Sequence, residues 1–143
     1  MTRVDFYVPQ QQSGLNRFTL ACRLAEKAWQ AGNRVCITTD SAEDAKTIDN
    51  LLWTNTESSF IPHDLQQNAD KQLTQVLIAE NLQQTDEHQV LINLGNKIPA
   101  CFSQFERLLE PLDQNEDNLQ AGRERYKYYR DCGYPVNNHE IKR

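Results

Sequence analysis

The residues best suited to recognition chemistry lie near the end of the chain, where four cations alternate with three tyrosines. Segment 120–134 contains Arg123, Arg125, Lys127, Arg130, Tyr126, Tyr128 and Tyr129. If the segment is helical, Arg123, Lys127 and Arg130 share one face, because residues i, i+4 and i+7 lie above one another. A neighbouring stripe at related spacing is apolar and aromatic: Leu119, Tyr126 and Tyr129.

A cationic strip beside an aromatic wall is suited to one kind of ligand. It can hold an acidic peptide, whose carboxylates meet the cations while an apolar side chain meets the tyrosines. Arg125 and Tyr128 face elsewhere on such a helix, and we expect them to pair with neighbouring acids or to pack on the sheet. The segment therefore predicts a binding protein.

The composition of the whole chain limits what this segment can bind. The protein has 143 residues, with 15 Lys and Arg against 20 Asp and Glu, and a net charge of −5. This length predicts one domain over residues 1–143. Because phosphate contacts need a surplus of cations, the net charge argues against broad nucleic-acid binding. Direct contact with single-stranded nucleic acid through the Arg/Tyr segment is kept as an alternative.

The cysteines and the N-terminus predict a reduced, cytoplasmic protein. Cys22, Cys36, Cys101 and Cys132 are far apart, with no Cys/His pair at metal-ligand spacing, so we expect no metal. The first three lie in apolar surroundings and are predicted to be buried. The chain begins without the apolar core of a signal peptide, and no run approaches the ~18 residues of a membrane span.

Strand-like and helix-like segments alternate along the chain. Strands are predicted over 4–8, 34–39, 75–79 and 89–94. Helices are predicted over 15–30, 41–53 and 99–109, with a last helix that follows the acidic segment 113–118 and ends before Gly133. The alternation predicts an α/β fold, a three-layer α/β/α sandwich around a mainly parallel sheet. We expect the tail from about residue 137 to be less ordered.

The usual signals of catalysis and nucleotide binding are missing from the sequence. The first strand-to-helix connection, PQQQSGL at 9–15, has one glycine and neither phosphate-loop pattern. GxSxG and HExxH do not occur, and His63, His88 and His139 are scattered. We therefore expect a Rossmann-like sheet without a nucleotide-binding loop, no cofactor and no catalytic residues. A small α/β enzyme of unknown substrate is the other alternative.

Several segments together resemble the chi subunit family of bacterial DNA polymerase III holoenzyme. They are DFYV (5–8), CRLAEKAWQAGNRV (22–35), LLW (51–53) with SFIPH (59–63), NLGNKIPACFSQFERLLE (93–110) and RERYKYYRDCGY (123–134). The resemblance implies a non-catalytic accessory subunit of the clamp-loader complex. It would bridge the psi subunit and the acidic C-terminal tail of single-stranded-DNA-binding protein, contacting nucleic acid only indirectly. A helicase that competes with psi is a further partner in the family.

The resemblance implies that the tail of single-stranded-DNA-binding protein binds the last helix. That tail ends in acidic residues and a terminal Phe, so it needs a cation for the α-carboxylate and a pocket for the ring. Arg123 matches the leading basic residue of the family's RERYK run and can fork onto both carboxylate oxygens. Tyr126 and Leu112 are candidate pocket walls. Lys127 and Arg130 are candidate partners for the acidic side chains.

The psi site is expected to be more apolar, because the association with psi must persist through cycles of synthesis. LLW followed by SFIPH supplies large apolar residues outside any periodic pattern, which favours exposed anchors. The predicted psi-binding residues are Trp53, Phe60, Ile61, Pro62 and His63. The alternative is that Trp53 and Phe60 close the core beneath the connector.

Overall fold

A computed structural model describes residues 1–54, 63–65, 76–83 and 89–142. The strands are β1 (Arg3–Pro9), β2 (Val35–Thr39), β3 (His63–Leu65), β4 (Val76–Glu80), β5 (Val90–Asn93), β6 (Arg107–Pro111) and β7 (Val136–Ile141). The helices are α1 (Arg17–Gln30), α2 (Ala42–Thr54) and α3 (Glu116–Asp131). Short 3-10 turns occupy Gln11–Ser13 and Phe102–Gln104.

The described strands form one seven-stranded sheet in the order β3-β4-β2-β5-β6-β1-β7. Every neighbouring pair among them is parallel. Parallel strands need long crossovers, and the crossover helices cover the faces of the sheet. Here α1 and α2 pack on one face and α3 packs on the other. The predicted α/β/α sandwich with a parallel sheet is confirmed.

Successive residues of the central strands belong to opposite layers of the core. In β2, Ile37 packs beneath α1 and α2, whereas Cys36 faces the side of α3. In β5, Ile92 and Leu91 divide in the same way. Because both faces are covered, these strands are apolar at consecutive positions rather than at alternate ones. The core therefore consists of two apolar layers separated by the sheet.

Local signals set the ends of the first two helices. The Asn16 side chain accepts a hydrogen bond from the Thr19 N–H at 2.8 Å and caps the start of α1. Gly32 follows the helix at φ +91°, a left-handed conformation that glycine adopts without strain. Ser41 Oγ accepts a hydrogen bond from the Asp44 N–H at 3.1 Å and caps α2.

The helix predicted over 99–109 is wrong. The chain there makes the short 3-10 turn and then enters β6. Leu108 and Leu109 are both buried, but they belong to opposite core layers. An apolar pair of this kind fits a helix stripe as well as a strand covered on both faces, so periodicity alone could not separate the two.

The expectation of less order from about residue 137 also differs from the structure. Strand β7 pairs in parallel with β1, from Val4 opposite Val136 to Pro9 opposite Ile141. Its sequence is polar and carries little strand signal. The register is instead supported by cross-strand contacts, among them the hydrogen bond that Gln10 donates to the Glu140 carboxylate at 2.7 Å.

Candidate peptide-binding site

A pocket of about 300 Å³ opens between α3 and the β1–β7 edge of the sheet. Three predicted site residues, Leu112, Arg123 and Tyr126, meet at this pocket although the first comes from the loop after β6. The full lining is Phe6, Val8, Leu112, Leu119, Gly122, Arg123, Tyr126 and Asn138. Most of these side chains are apolar or aromatic, so the pocket is suited to a ring or an aliphatic group.

The floor of the pocket depends on a close approach between α3 and Leu112. A Cβ at Gly122 would lie 2.7 Å from Leu112 Cδ1, well inside the usual carbon–carbon contact of about 3.5–4 Å. Glycine within a helix costs about 1 kcal/mol relative to alanine. At this position the missing side chain is what lets the helix lie against Leu112, which is 4% exposed.

One wall of the pocket is held in place by aromatic packing. The rings of Phe6 and Tyr126 have centroids 5.3 Å apart and are tilted by 51°. Phe6 also contacts Tyr129, with centroids 6.1 Å apart. Tilted ring pairs at such distances are favourable beyond the area they bury. Tyr126 is therefore presented to the pocket in a supported position.

Arg123 supplies the charge at the rim of the pocket. Its side chain is exposed, and with the described residues it makes no ion pair. The guanidinium can therefore meet an anionic group that approaches the rim. Lys127 is exposed one turn further along α3, outside the pocket lining. Arg130 is also outside the lining, and its Nε lies 3.6 Å from the Asp131 carboxylate at the surface.

The buried face of α3 is fixed, next to the pocket, by a carboxylate on β6. Glu110 is 0% exposed, and Arg125 donates to it from Nε and Nη2, each at 3.1 Å. The Tyr129 hydroxyl donates to the same group at 2.8 Å, and the Asn93 amide donates at 3.1 and 3.2 Å. The expectation that Arg125 pairs with an acid is confirmed. Tyr128 is instead 46% exposed.

The protonation of this buried cluster follows from its surroundings. Burial, and then the neighbouring charge of Glu110, raise the pKa of Tyr129, so its hydroxyl stays protonated and donates.

The same buried contacts orient α3. At about 100° per residue, Tyr126 follows the buried residue Arg125 around the helix, and Arg123 lies further towards solvent. The buried contacts therefore set the rotation of α3 that points Tyr126 into the pocket and Arg123 at its rim.

Arg17 occupies the crevice at the carboxyl ends of β5 and β6, where α/β folds of this kind bind nucleotides. It is 5% exposed and donates to the Pro111 carbonyl and to Asn96 Oδ1, both at 2.7 Å, and to the Gly95 carbonyl at 2.6 Å. Burial lowers its pKa to about 10, and the charge of Glu110 acts in the opposite sense. The side chain is thus a cation that fills the crevice with protein contacts.

A comparison with known families decides what this architecture belongs to. The family model described as "DNA polymerase III chi subunit, HolC" matches residues 1–137. The chain belongs to the DNA polymerase III chi subunit family. It is therefore a non-catalytic accessory subunit of DNA polymerase III, and its work is DNA replication.

Three relatives named DNA polymerase III subunit chi cover most of the chain. The protein of Pseudomonas aeruginosa is 33% identical over 143 residues, which is 100% of this chain and 99% of the relative. That of Haemophilus influenzae is 30% identical over 141 residues, or 96% of each chain. That of Escherichia coli is 29% identical over 119 residues, covering 82% of this chain and 81% of the relative.

The second surface predicted for this chi-family chain falls mostly outside the described residues. Phe60, Ile61 and Pro62 lie outside them. Trp53 lies in the last turn of α2 and His63 begins β3, but the structure describes only the backbone at these two positions. Among the described strands, β3 lies at the edge of the sheet opposite to β7. The backbone positions of the two predicted surfaces are thus at opposite edges.

Three further features of the described part of the chain concern metals, membranes and thiols. There, no group of three His, Cys, Asp or Glu side chains is arranged to hold a metal ion. No helix in that part is both long and apolar enough to cross a membrane. Cys22, Cys36 and Cys101 are buried as predicted, and burial raises the pKa of the Cys22 thiol to about 12.

Sequence reasoning missed four residues of the pocket. Phe6 and Val8 alternate along β1 and face α3, a pattern that period-two reasoning could have found. Gly122 inside a helical pattern is a recognised sign of close backbone packing. Asn138 carried no usable signal, because it reaches the pocket only through β7, which was not predicted.

Proposed function

We propose that this chain is an adaptor of the clamp-loader complex in the cytoplasm. It joins the psi subunit to the acidic C-terminal tail of single-stranded-DNA-binding protein and contacts nucleic acid only through that protein. The observation that carries the proposal is the pocket beside α3. Its apolar floor lies next to Arg123, which makes no ion pair with the described residues. Neither feature alone would select a carboxylate-terminated peptide.

The chemistry of the tail matches that pocket in each part. A terminal phenyl ring would rest on Phe6, Leu112 and Tyr126, and its burial is worth about 1.5–3 kcal/mol. The α-carboxylate would then lie at the rim, where Arg123 can donate two parallel hydrogen bonds. Lys127, exposed further along the helix, would attract the acidic side chains that precede the ring. Arg130 would have to exchange Asp131 for the ligand, so we assign it a smaller part.

The psi subunit is assigned to the surface around the end of α2 and β3. The proposed residues are Trp53, Phe60, Ile61, Pro62 and His63. The sheet order supports this division, because β3 and β7 are at opposite edges and two partners held there need not collide. A helicase that competes with psi would use the same surface.

The decisive experiment is fluorescence polarisation with a labelled acidic peptide ending in Phe with a free carboxylate. We expect saturable binding that weakens at least ~10-fold when the peptide is amidated or when Arg123 is changed to Ala, since a hydrogen-bonded charge contributes about 1.5–3 kcal/mol. Arg23→Ala is the matched control, because Arg23 is exposed on α1 in the opposite layer. It should bind like the native chain.

The other outcomes of that experiment argue against the adaptor. Binding that is indifferent to Arg123 and to the terminal carboxylate would remove the assigned pocket. Tight binding of a bare single-stranded oligonucleotide, with a steep dependence on salt, would favour direct nucleic-acid recognition instead.

A further inference from the structure

A second group of charged and aromatic side chains lies on the other face of the sheet, away from α3. Helix α1 packs chiefly over β2, β5 and β6, and it leaves side chains of β1 and β7 partly open. Tyr7 and His139 are cross-strand neighbours there, with stacked rings whose centroids are 4.8 Å apart. His139 is 44% exposed. This part of the surface has no role in the proposed adaptor.

Asp5 gathers cations at this surface. The carboxylate is 2% exposed, and Arg3 Nε and Arg107 Nη2 each lie 3.2 Å from Oδ2, while His139 Nε2 lies 2.9 Å from Oδ1. Burial alone would raise the pKa of Asp5, but the hydrogen bonds from His139 and Arg107 and the charges of Arg3 and Arg107 lower it overall. Two permanent cations share one anion, so the cluster is positive in an acidic protein.

A pocket of about 240 Å³ lies beside the cluster, between the sheet and the last turns of α1. Its lining is Tyr7, Leu24, Lys27, Ala28, Ala31, Asn33, Arg107 and Leu109. Helix ends usually present free carbonyl oxygens, which would repel an anion. Here the Lys27 carbonyl accepts from the Ala31 N–H at 3.1 Å, and the Ala28 carbonyl accepts from the backbone and side chain of Asn33, both at 3.1 Å.

The charged residues in the lining of this pocket are both cations, Arg107 and Lys27. The Arg107 side chain is 34% exposed, and its Nε has no hydrogen-bond partner in the described part of the chain. A guanidinium whose donors are not all paired favours a ligand that brings acceptors. Lys27 is exposed at the rim and adds a second charge. Leu24, Ala28 and Leu109 provide an apolar surface between them.

We propose that this pocket binds a small organic anion. A carboxylate or phosphate group would be held by Arg107 and Lys27, and a compact apolar body would rest on Leu24, Ala28 and Leu109. The volume of about 240 Å³ is below that of typical drug-sized pockets, so the ligand is small. The site is independent of the adaptor proposal, because it lies in the layer of α1 rather than that of α3.

The test is a titration of the full chain with phenyl phosphate, benzoate and neutral benzyl alcohol, followed by backbone amide NMR shifts. We expect saturable shifts around Tyr7, Ala28 and Arg107 with the two anions and none with the alcohol. The more strongly bound anion identifies the headgroup. Arg107→Gln and Lys27→Gln should each weaken binding, the first at least ~10-fold. Lys46→Gln, an exposed lysine on α2, should leave it unchanged.

Lys27→Gln keeps the test decisive if Arg107→Gln fails to fold, because Lys27 makes no contact with Asp5. Shifts that the alcohol or sodium chloride reproduces would overturn the proposal, as would binding that survives both pocket substitutions. Arg123→Ala should retain the anion-induced shifts. Their loss in that variant would assign them to the α3 pocket and likewise overturn the site.

Discussion

The buried pair of Arg125 and Glu110 gives the sharpest stability prediction. Arg125→Met removes the ion-pair partner of a carboxylate that is 0% exposed. Among the described residues, the Tyr129 hydroxyl and the Asn93 amide remain as its hydrogen-bond donors. Removing one member of a buried ion pair typically costs about 3–5 kcal/mol, because the remaining charge is left without compensation. We expect Arg125→Met to lower the free energy of unfolding by about that amount.

Adding Glu110→Gln to Arg125→Met should recover part of the loss. The neutral amide has no uncompensated charge, and its oxygen, placed where Oε2 lies, still accepts from Tyr129 and Asn93. We expect the double variant to be about 1–3 kcal/mol more stable than Arg125→Met alone, the difference between an unpaired charge and a polar group with most of its hydrogen bonds.

Urea unfolding followed by circular dichroism measures both steps, provided that the slopes of the transitions agree. Arg130→Met is the control, because its guanidinium is at the surface and such exposed pairs are worth about 0–1 kcal/mol. A loss below about 1 kcal/mol for Arg125→Met, or a double variant less stable than that single one, would refute the reasoning about uncompensated charge.

Three further changes test other parts of the molecule. Gly122→Ala places a Cβ 2.7 Å from Leu112 Cδ1, so it should lower the free energy of unfolding in urea by about 1–2 kcal/mol. It should also weaken binding of the acidic peptide. A stabilised variant with native affinity would contradict the assigned packing. Lys127→Ala should weaken binding of the acidic peptide about 2- to 5-fold at low salt, and this effect should vanish near ~1 M salt. A loss of affinity that does not depend on salt would rule out a screened contact. Asp5→Asn should destabilise the chain at about pH 7, because a carboxyl whose folded-state pKa lies below its ordinary 3.8 stabilises only while ionised. The difference in unfolding free energy between the native chain and Asp5→Asn should shrink as the pH falls below 3.8 and Asp5 becomes protonated. A difference that stays constant down to about pH 2 would contradict this role of Asp5.

Local patterns in the sequence determined much of this protein without any tertiary information. The positions of β1, α1, β2 and α2 followed from apolar spacing and capping residues, because these signals act between residues one helical turn apart. The cationic face of α3 was visible for the same reason. The combined motifs also indicated the family that the comparison then showed.

Other features were decided only by residues distant in the chain. Segment 107–111 became β6 rather than a helix because it pairs with β1 and β5 and its two faces pack into opposite core layers. Strand β7 exists because β1 offers it a ladder. The polar partners of Glu110 lie 15 to 19 residues away, and Leu112 meets Gly122 only where α3 crosses it. Burial and partnership of this kind depend on the packing of whole layers, which no local spacing encodes.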